Sequence, residues 1–324
     1  MLKKILFIIS FVLLSCTTAN QVDVKKTKKI TYIVSDLRIP FWSIMSKGVE
    51  SKSKELGYDI NVYSSNNLAK NELKNTISAI KQESTGVILS PTNSSAAVTV
   101  LKLLKNANIP VVISDIGTEE GEYVSFISSD NEEGAYKIGK VLTKEMYRKG
   151  YEYGTVGIIS IPQSRKNGRD RTDGFIRALS EANIKSSNLY QQVDFSCQET
   201  YDFATKLIEE DPNLKAIWLQ GSDRYKGALR AIEDSGKKGK VLLICFDAEP
   251  IFLELIPKEI LVGAAMQQPF LMGEHAVESL DSHLKGLKVK HNQQLPILAI
   301  SKENINKNLD TIKRNVLGLE IKDK

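Results

Sequence analysis

Cysteine and histidine are scarce in this chain, three of each in 324 residues. Cys16, Cys197 and Cys245 are too few and too scattered for a disulfide scaffold. His275, His283 and His291 stand eight apart, more than two helical turns, which is no metal-ligand spacing. Charge of one sign is also lacking in excess. The 44 basic residues against 39 acidic ones give +5, too mild for a nucleic-acid or polybasic membrane surface. Past residue 16 no apolar run approaches the ~20 residues that span a bilayer. A phosphate loop, a metal set and an activated nucleophile are all missing, so catalysis has no candidate machinery and no cofactor is expected. Asp115 and Asp247 offer paired carboxylates without the rest of a glycosidase site.

What is present begins at the N-terminus. Lys3 and Lys4, an apolar run over 5–14 and the small Ser15 form a secretory signal. Leu13-Leu14-Ser15-Cys16 resembles the lipobox of bacterial lipoproteins. That resemblance implies a lipoprotein signal over 1–15, lipid on Cys16, and a membrane-anchored chain in the periplasm or at the cell surface. An uncleaved anchor or a plain cleaved signal ranks below it. Loss of residues 1–15 removes two of the five net positive charges and leaves +3. Residues 16–28 are polar and read as a flexible tether. A Cys197–Cys245 bridge stays open; Cys245, inside the apolar run 241–246, reads better as a buried thiol.

From residue 29 strand and helix patterns alternate. Strands are expected over 29–34, 58–63, 86–90 and 110–114, with helices over 41–56, 71–82 and 95–106. After a break at Asn131 the rhythm restarts. Helices fall over 132–147, 171–182, 200–210, 227–235 and 271–284, and strands over 155–159, 189–195, 215–219, 241–246, 263–266 and 295–300. Short apolar strands between helices mean parallel sheets covered on both faces. The fold class is therefore α/β, with two doubly wound parallel-sheet lobes facing a cleft and ligands beyond the strand tips. At 324 residues, two domains are also the default.

Several segments taken in order resemble the periplasmic sugar-binding proteins of the ribose-binding type. They are 34–42, with its Pro40-Phe41-Trp42, then 56–58, 88–93, 108–115, 127–131, Arg171-Thr172-Asp173-Gly174-Phe175, Phe246-Asp247, Gln267-Gln268-Pro269 and 300–304. The resemblance spans about 29–305. It implies a type I periplasmic binding protein fold whose lobes, joined by a three-strand hinge, close on a small ligand. The crossings fall near Asp130, Gln268 and Leu295, giving lobes of 29–130 plus 268–295 and 131–267 plus 296–324. It also implies a ligand set of Phe41, Trp42, Asp115, Arg171, Phe195, Asp247 and Gln267, to which Arg38 adds a cation near the cleft.

The chemistry suits that set. Aromatic planes stack on sugar rings, and charged groups make the stronger hydrogen bonds to hydroxyls. Arg171, at the expected start of a helix, opposes the helix dipole there and so calls for a functional reason. Three positions depart from the ribose-type pattern: Arg38 for Asn, Ile116 for Arg and Gly221 for Asn. Arg38 raises the possibility of an acidic ligand spanning Arg38 and Arg171, against a rim arginine bonded to Asp36 or simply solvated. The function expected is an exported solute-binding lipoprotein, monomeric, that hands a sugar or sugar-like molecule to an ABC importer. The alternative is a receptor that docks on a membrane histidine kinase to report a sugar or autoinducer-like metabolite. A sugar-responsive repressor would need a DNA-reading helix-turn-helix where the export signal stands.

Overall fold

β1 (Lys29–Val34) carries the run Ile-Thr-Tyr-Ile-Val and is buried on both faces from Ile30 onward, as an interior strand of a parallel sheet must be. The computed structural model that shows this describes residues 28–319. The expected signal 1–15, Cys16 and the tether up to residue 27 lie outside the described residues.

The first series continues with α1 (Pro40–Glu55), β2 (Asp59–Ser64), α2 (Ala69–Lys81), β3 (Gly86–Leu89), α3 (Ser94–Asn106), β4 (Val111–Ser114) and β5 (Ser125–Ser129). The second holds α4 (Asn131–Arg148), β6 (Thr155–Ser160), α5 (Lys166–Glu181), β7 (Lys185–Gln191), α6 (Cys197–Glu210), β8 (Leu214–Leu219), α7 (Tyr225–Asp234), β9 (Leu242–Phe246), α8 (Phe252–Leu255) and β10 (Gly263–Met266). Then come α9 (Pro269–Leu284), β11 (Asn292–Leu295), β12 (Leu298–Ser301) and helical turns over 306–316.

One sheet has the order β11-β5-β4-β3-β1-β2 and is parallel throughout. The other has the order β12-β10-β9-β8-β6-β7 and is parallel except for the β10–β12 pair. Read from β2 and from β7, the two orders are the same plan. The α/β class with two doubly wound lobes holds, with one antiparallel edge added. The chain passes between the sheets after β5, after β10 and between β11 and β12.

Four expectations need correction. The run 295–300 is two strands in two different sheets, β11 and β12. Pro296 lies between them, and a proline has no N–H to give a ladder. β5 carries no apolar signal because Ser125 and Ser129 are its buried residues beside Ile127; Ser125 is tied by its hydroxyl to Lys290 O at 2.7 Å. β7 sits four residues earlier than expected, and α5 begins at Lys166, not Arg171. Arg171 is therefore past the first turn, and the dipole argument for its function does not apply.

Packing fixes α4 and α5 against each other. Gly174 of α5 lies so close to Glu132 O of α4 that an added Cβ would collide with it. Ile138, Leu142 and Met146 of α4 are fully buried on the second sheet, each contributing about 1.5–3 kcal/mol. Asp130 caps α4, accepting from Glu133 N at 3.3 Å. At the chain's end, Ile305, Ile312 and Val316 join the core of the second sheet. In the same stretch Arg314 pairs with Glu274 of α9 at 2.9 Å, and Asn315 donates to Gln268 at 2.9 Å. Cys197 is exposed and Cys245 buried, and the two are not bridged. Among the described residues no helix is long and apolar enough to cross a membrane.

Candidate functional site

In a doubly wound sheet the crevice opens at the carboxyl tips where strand order reverses, here beside β1 and β3 in one lobe and β6 and β8 in the other. A cleft of about 450 Å3, its open mouth included, lies between these tips.

The first lobe supplies an apolar wall. β1 runs into a turn where Ile39 N donates to Asp36 O, and Pro40 then opens α1. This turn aims Ile39, Phe41 and Trp42 into the cleft. The Phe41 and Trp42 rings meet edge to face with centroids 5.0 Å apart. Ile116 completes the wall beside Asp115.

Asp115 follows the last residue of β4 with φ +64°, and Asp247 follows the last residue of β9 with φ +67°. This left-handed geometry costs most residues and is tolerated by Asp. Each backbone N–H is held by the neighbouring strand, Asp115 to Ile127 O at 2.9 Å and Asp247 to Ala265 O at 2.8 Å. The two lobes thus use one device to turn a carboxylate toward the cleft. Phe195, with φ +57°, is a stronger outlier because its side chain is bulky. Its N–H donates to Glu199 at 3.0 Å, which secures the loop before α6.

The second lobe supplies a charged wall. Arg171 is 3% exposed. Its Nε donates to Asn131 Oδ1 at 2.9 Å, its Nη1 donates to Gln220 O at 3.2 Å, and Asp247 lies 3.7 Å away. Its guanidinium also lies 3.8 Å from the Phe246 ring centroid. Gln267 Nε2 donates to Asp247 at 2.7 Å. Arg224 pairs with Asp223 at 2.7 Å, and Arg165 donates from Nη2 to Asn67 Oδ1 at 2.9 Å and Thr92 O at 3.2 Å, across the cleft in the first lobe.

Burial dominates the electrostatics. It pushes the Asp115 carboxyl up to about 7, against the pull of Arg171, and Asp247 adds to the rise. Burial likewise raises Asp223, with Arg224 opposing. It pulls the Arg171 and Arg165 guanidiniums downward, with carboxylates opposing. Asp115 Oδ1, Asn167 Oδ1, Gln267 Oε1 and Arg224 Nε are buried polar atoms with no hydrogen-bond partner among the described residues, and all four residues line this cleft. A buried polar atom without a partner costs about 1–3 kcal/mol, which a bound polar ligand can recover.

Of the eight residues expected at the site, the structure brings together seven: Phe41, Trp42, Asp115, Arg171, Phe195, Asp247 and Gln267. Arg38 is not among the cleft-lining residues. Its backbone N and Nε both donate to Asp36, and its side chain is 72% exposed. The short loop lets it satisfy itself two residues back.

A model of the periplasmic binding protein domain family matches residues 30–288. The chain belongs to that family. It is 29% identical over 304 residues to the ribose import binding protein of Escherichia coli (strain K12), covering 93% of this chain and 99% of that protein. It is 27% identical over 277 residues to the ribose import binding protein of Bacillus subtilis (strain 168), covering 84% and 87%. Solved structures share the fold. One is a solute binding protein from Actinobacillus succinogenes 130z with bound D-allose, at TM-score 0.80 and 20% identity over 87% of this chain and 100% of that one. Another is a carbohydrate transporter solute binding protein from Agrobacterium radiobacter with D-arabinose, at TM-score 0.81 and 21% identity over 90% and 99%. Like these relatives, the chain is a binding protein and not an enzyme.

Within this periplasmic binding protein, sequence reasoning missed Arg165, Asn167, Asp223 and Arg224. Arg224 lies five residues beyond β8 and Arg165 five beyond β6.

Proposed function

We propose that the protein is an exported solute-binding lipoprotein that captures a sugar or sugar-like molecule between its lobes and delivers it to an ABC importer. Its relatives are named for ribose import, and its periplasmic family fits export. The observation that carries the reading is the set of four unpartnered polar atoms facing one cleft beside Phe41 and Trp42. In this reading the aromatic pair packs against the ligand's apolar face, while Asp115, Arg171, Asp247 and Gln267 bond its hydroxyls. Phe195 closes one side. Residues 29–130 with 268–295 move as one lobe and 131–267 with 296–324 as the other, hinged at the three crossings. Cys16 carries the lipid that holds the mature chain at the membrane.

The test is mass spectrometry of small molecules released from the denatured mature protein, followed by thermal shift with the compound identified. A ligand at a hundredfold excess over its Kd adds about 2.7 kcal/mol of stability. Recovery of a polyhydroxylated compound that is bound and returned unchanged is expected. Turnover of the compound, or binding that survives Asp247→Ala, would overturn the reading. Metabolic labelling with a fatty acid, lost in Cys16→Ser, tests the anchor.

A further inference from the structure

The three arginines of the cleft all come from the second lobe, and so do two of its three aspartates. Asp247 faces Arg171 at 3.7 Å and Asp223 pairs with Arg224 at 2.7 Å. Arg165 has no ion pair among the described residues; it is held only by Asn67 Oδ1 and the carbonyl of Thr92. The remaining carboxylate, Asp115, makes no ion pair and has an unpartnered oxygen. Burial holds it near 7, so it carries only part of its charge at neutral pH. Glu249 is bonded to Ser222 at 2.8 Å and does not line the cleft, although its charge acts on Arg224. Arg165 is therefore the one arginine of the cleft without a direct carboxylate partner, with Asp115 acting on it only at longer range.

A guanidinium does not shed its proton inside a protein. Half-buried and without a direct carboxylate partner, Arg165 gains from an anion that joins it. Arg165 and Arg224 both lie over the Phe195 ring, with centroid distances of 5.6 and 5.1 Å, and their charges act on each other. Arg224 is 4% exposed, and its Nε is among the unpartnered buried atoms. Gly221 makes its position possible, because a Cβ there would collide with Arg224 Nη2. Opposite stand only Ile39, Ile116, the aromatic pair and Asp115, none of which repels an anion except the partly charged Asp115.

We propose that the ligand carries one anionic group, a carboxylate or a phosphate, on a polyhydroxylated body, and that Arg165 and Arg224 select it. The anion sits at the Phe195 side of the cleft, with hydroxyls toward Asp115, Asp247 and Gln267. Because Arg165 also bonds Asn67 and Thr92, the anion is gripped by a side chain that already spans both lobes. This inference rests on the reading of the cleft as a sugar-type binding site.

Calorimetric titration of the mature chain with matched pairs tests it: D-ribose with D-ribonate and D-ribose 5-phosphate, and D-galactose with D-galacturonate. The carboxylate and phosphate arms distinguish the two sources of charge. In at least one pair the acidic member binds tenfold or more tightly than its neutral counterpart. That preference weakens as salt is raised, and falls at least fivefold in Arg165→Met. Arg224→Met does the same; Gly221→Asn, which displaces Arg224 without deleting it, is the second variant should the first not fold. A neutral member that binds as tightly as its acidic counterparts, or a preference that survives both Arg165→Met and Gly221→Asn, overturns the inference and leaves the sugar-binding reading standing. If no member of any pair binds, the sugar-binding reading fails, and this inference with it.

Discussion

Asp115 and Asp247 occupy equivalent places in the two lobes, yet their surroundings differ. Each follows the fourth strand of its doubly wound series, each has positive φ, and each is held through its N–H by the next strand. Asp247 is met by Gln267 and Arg171. Asp115 is fully enclosed and meets no donor on Oδ1. The same backbone device thus presents a directly bonded carboxylate on one wall and, on the other, one that feels Arg171 and Arg165 only at a distance. The fold sets direction and distance; the neighbouring side chains set charge. Two lobes of one plan can therefore do different work on one ligand.

The largest effect should come from removing the cation that compensates one side. Arg171→Ala leaves Asp247 without its cation and opens a gap under Phe246, which should cost about 3–5 kcal/mol. Chemical denaturation measures it; a loss under 1 kcal/mol would show that Arg171 does not carry that wall. Next, the two aspartates should respond with opposite signs in the unliganded protein. Asp247→Asn loses charge-assisted bonds worth about 1.5–3 kcal/mol and destabilises. Asp115→Asn removes a buried charge with no partner and stabilises above pH 7. Both weaken ligand binding, so equal shifts in melting temperature would break the contrast.

The pH dependence sharpens it further. The Asp115 carboxyl is raised from its ordinary 3.8 to about 7, so the unfolded chain releases this proton first as pH rises. Its contribution is fully present below about pH 4 and is lost as pH climbs through 7. Glu72, raised by burial to about 7, acts in the same direction. Unliganded stability should therefore fall between pH 5 and 8, and Asp115→Asn should flatten part of that slope. An unchanged slope in a thermal-melt series would remove Asp115 as a cause. The smallest effect belongs to Arg38→Ala. Its exposed pair with Asp36 is screened by solvent and contributes little to stability, and ligand affinity should change less than twofold.

The sequence made the strand tips legible where an apolar run ends in an acid, as at Ile113-Ser114-Asp115 and Cys245-Phe246-Asp247. Phe41 and Trp42 were legible through the family resemblance, which places aromatics at both positions of the first loop; their local pattern alone reads as the apolar start of a helix. Arg165 and Arg224 were not, since Gln163-Ser164-Arg165 and Ser222-Asp223-Arg224 read locally as solvated loops. Their enclosure depends on Asn67, Thr92 and Phe195, which lie far off in sequence. The serines of β5 and the polar start of α5 hid for the same reason. Their burial is settled by partners on other elements and not by their own composition.

The terminal turns near the hinge have a mechanical consequence. Ile312 and Val316 are embedded in one body while Arg314 and Asn315 hold the other through Glu274 and Gln268. A wide swing of the two bodies must shear those bonds, whereas a small bend about the same axis need only stretch them. On the proposed hinge motion, the segment would act as a limit stop that caps the amplitude of opening.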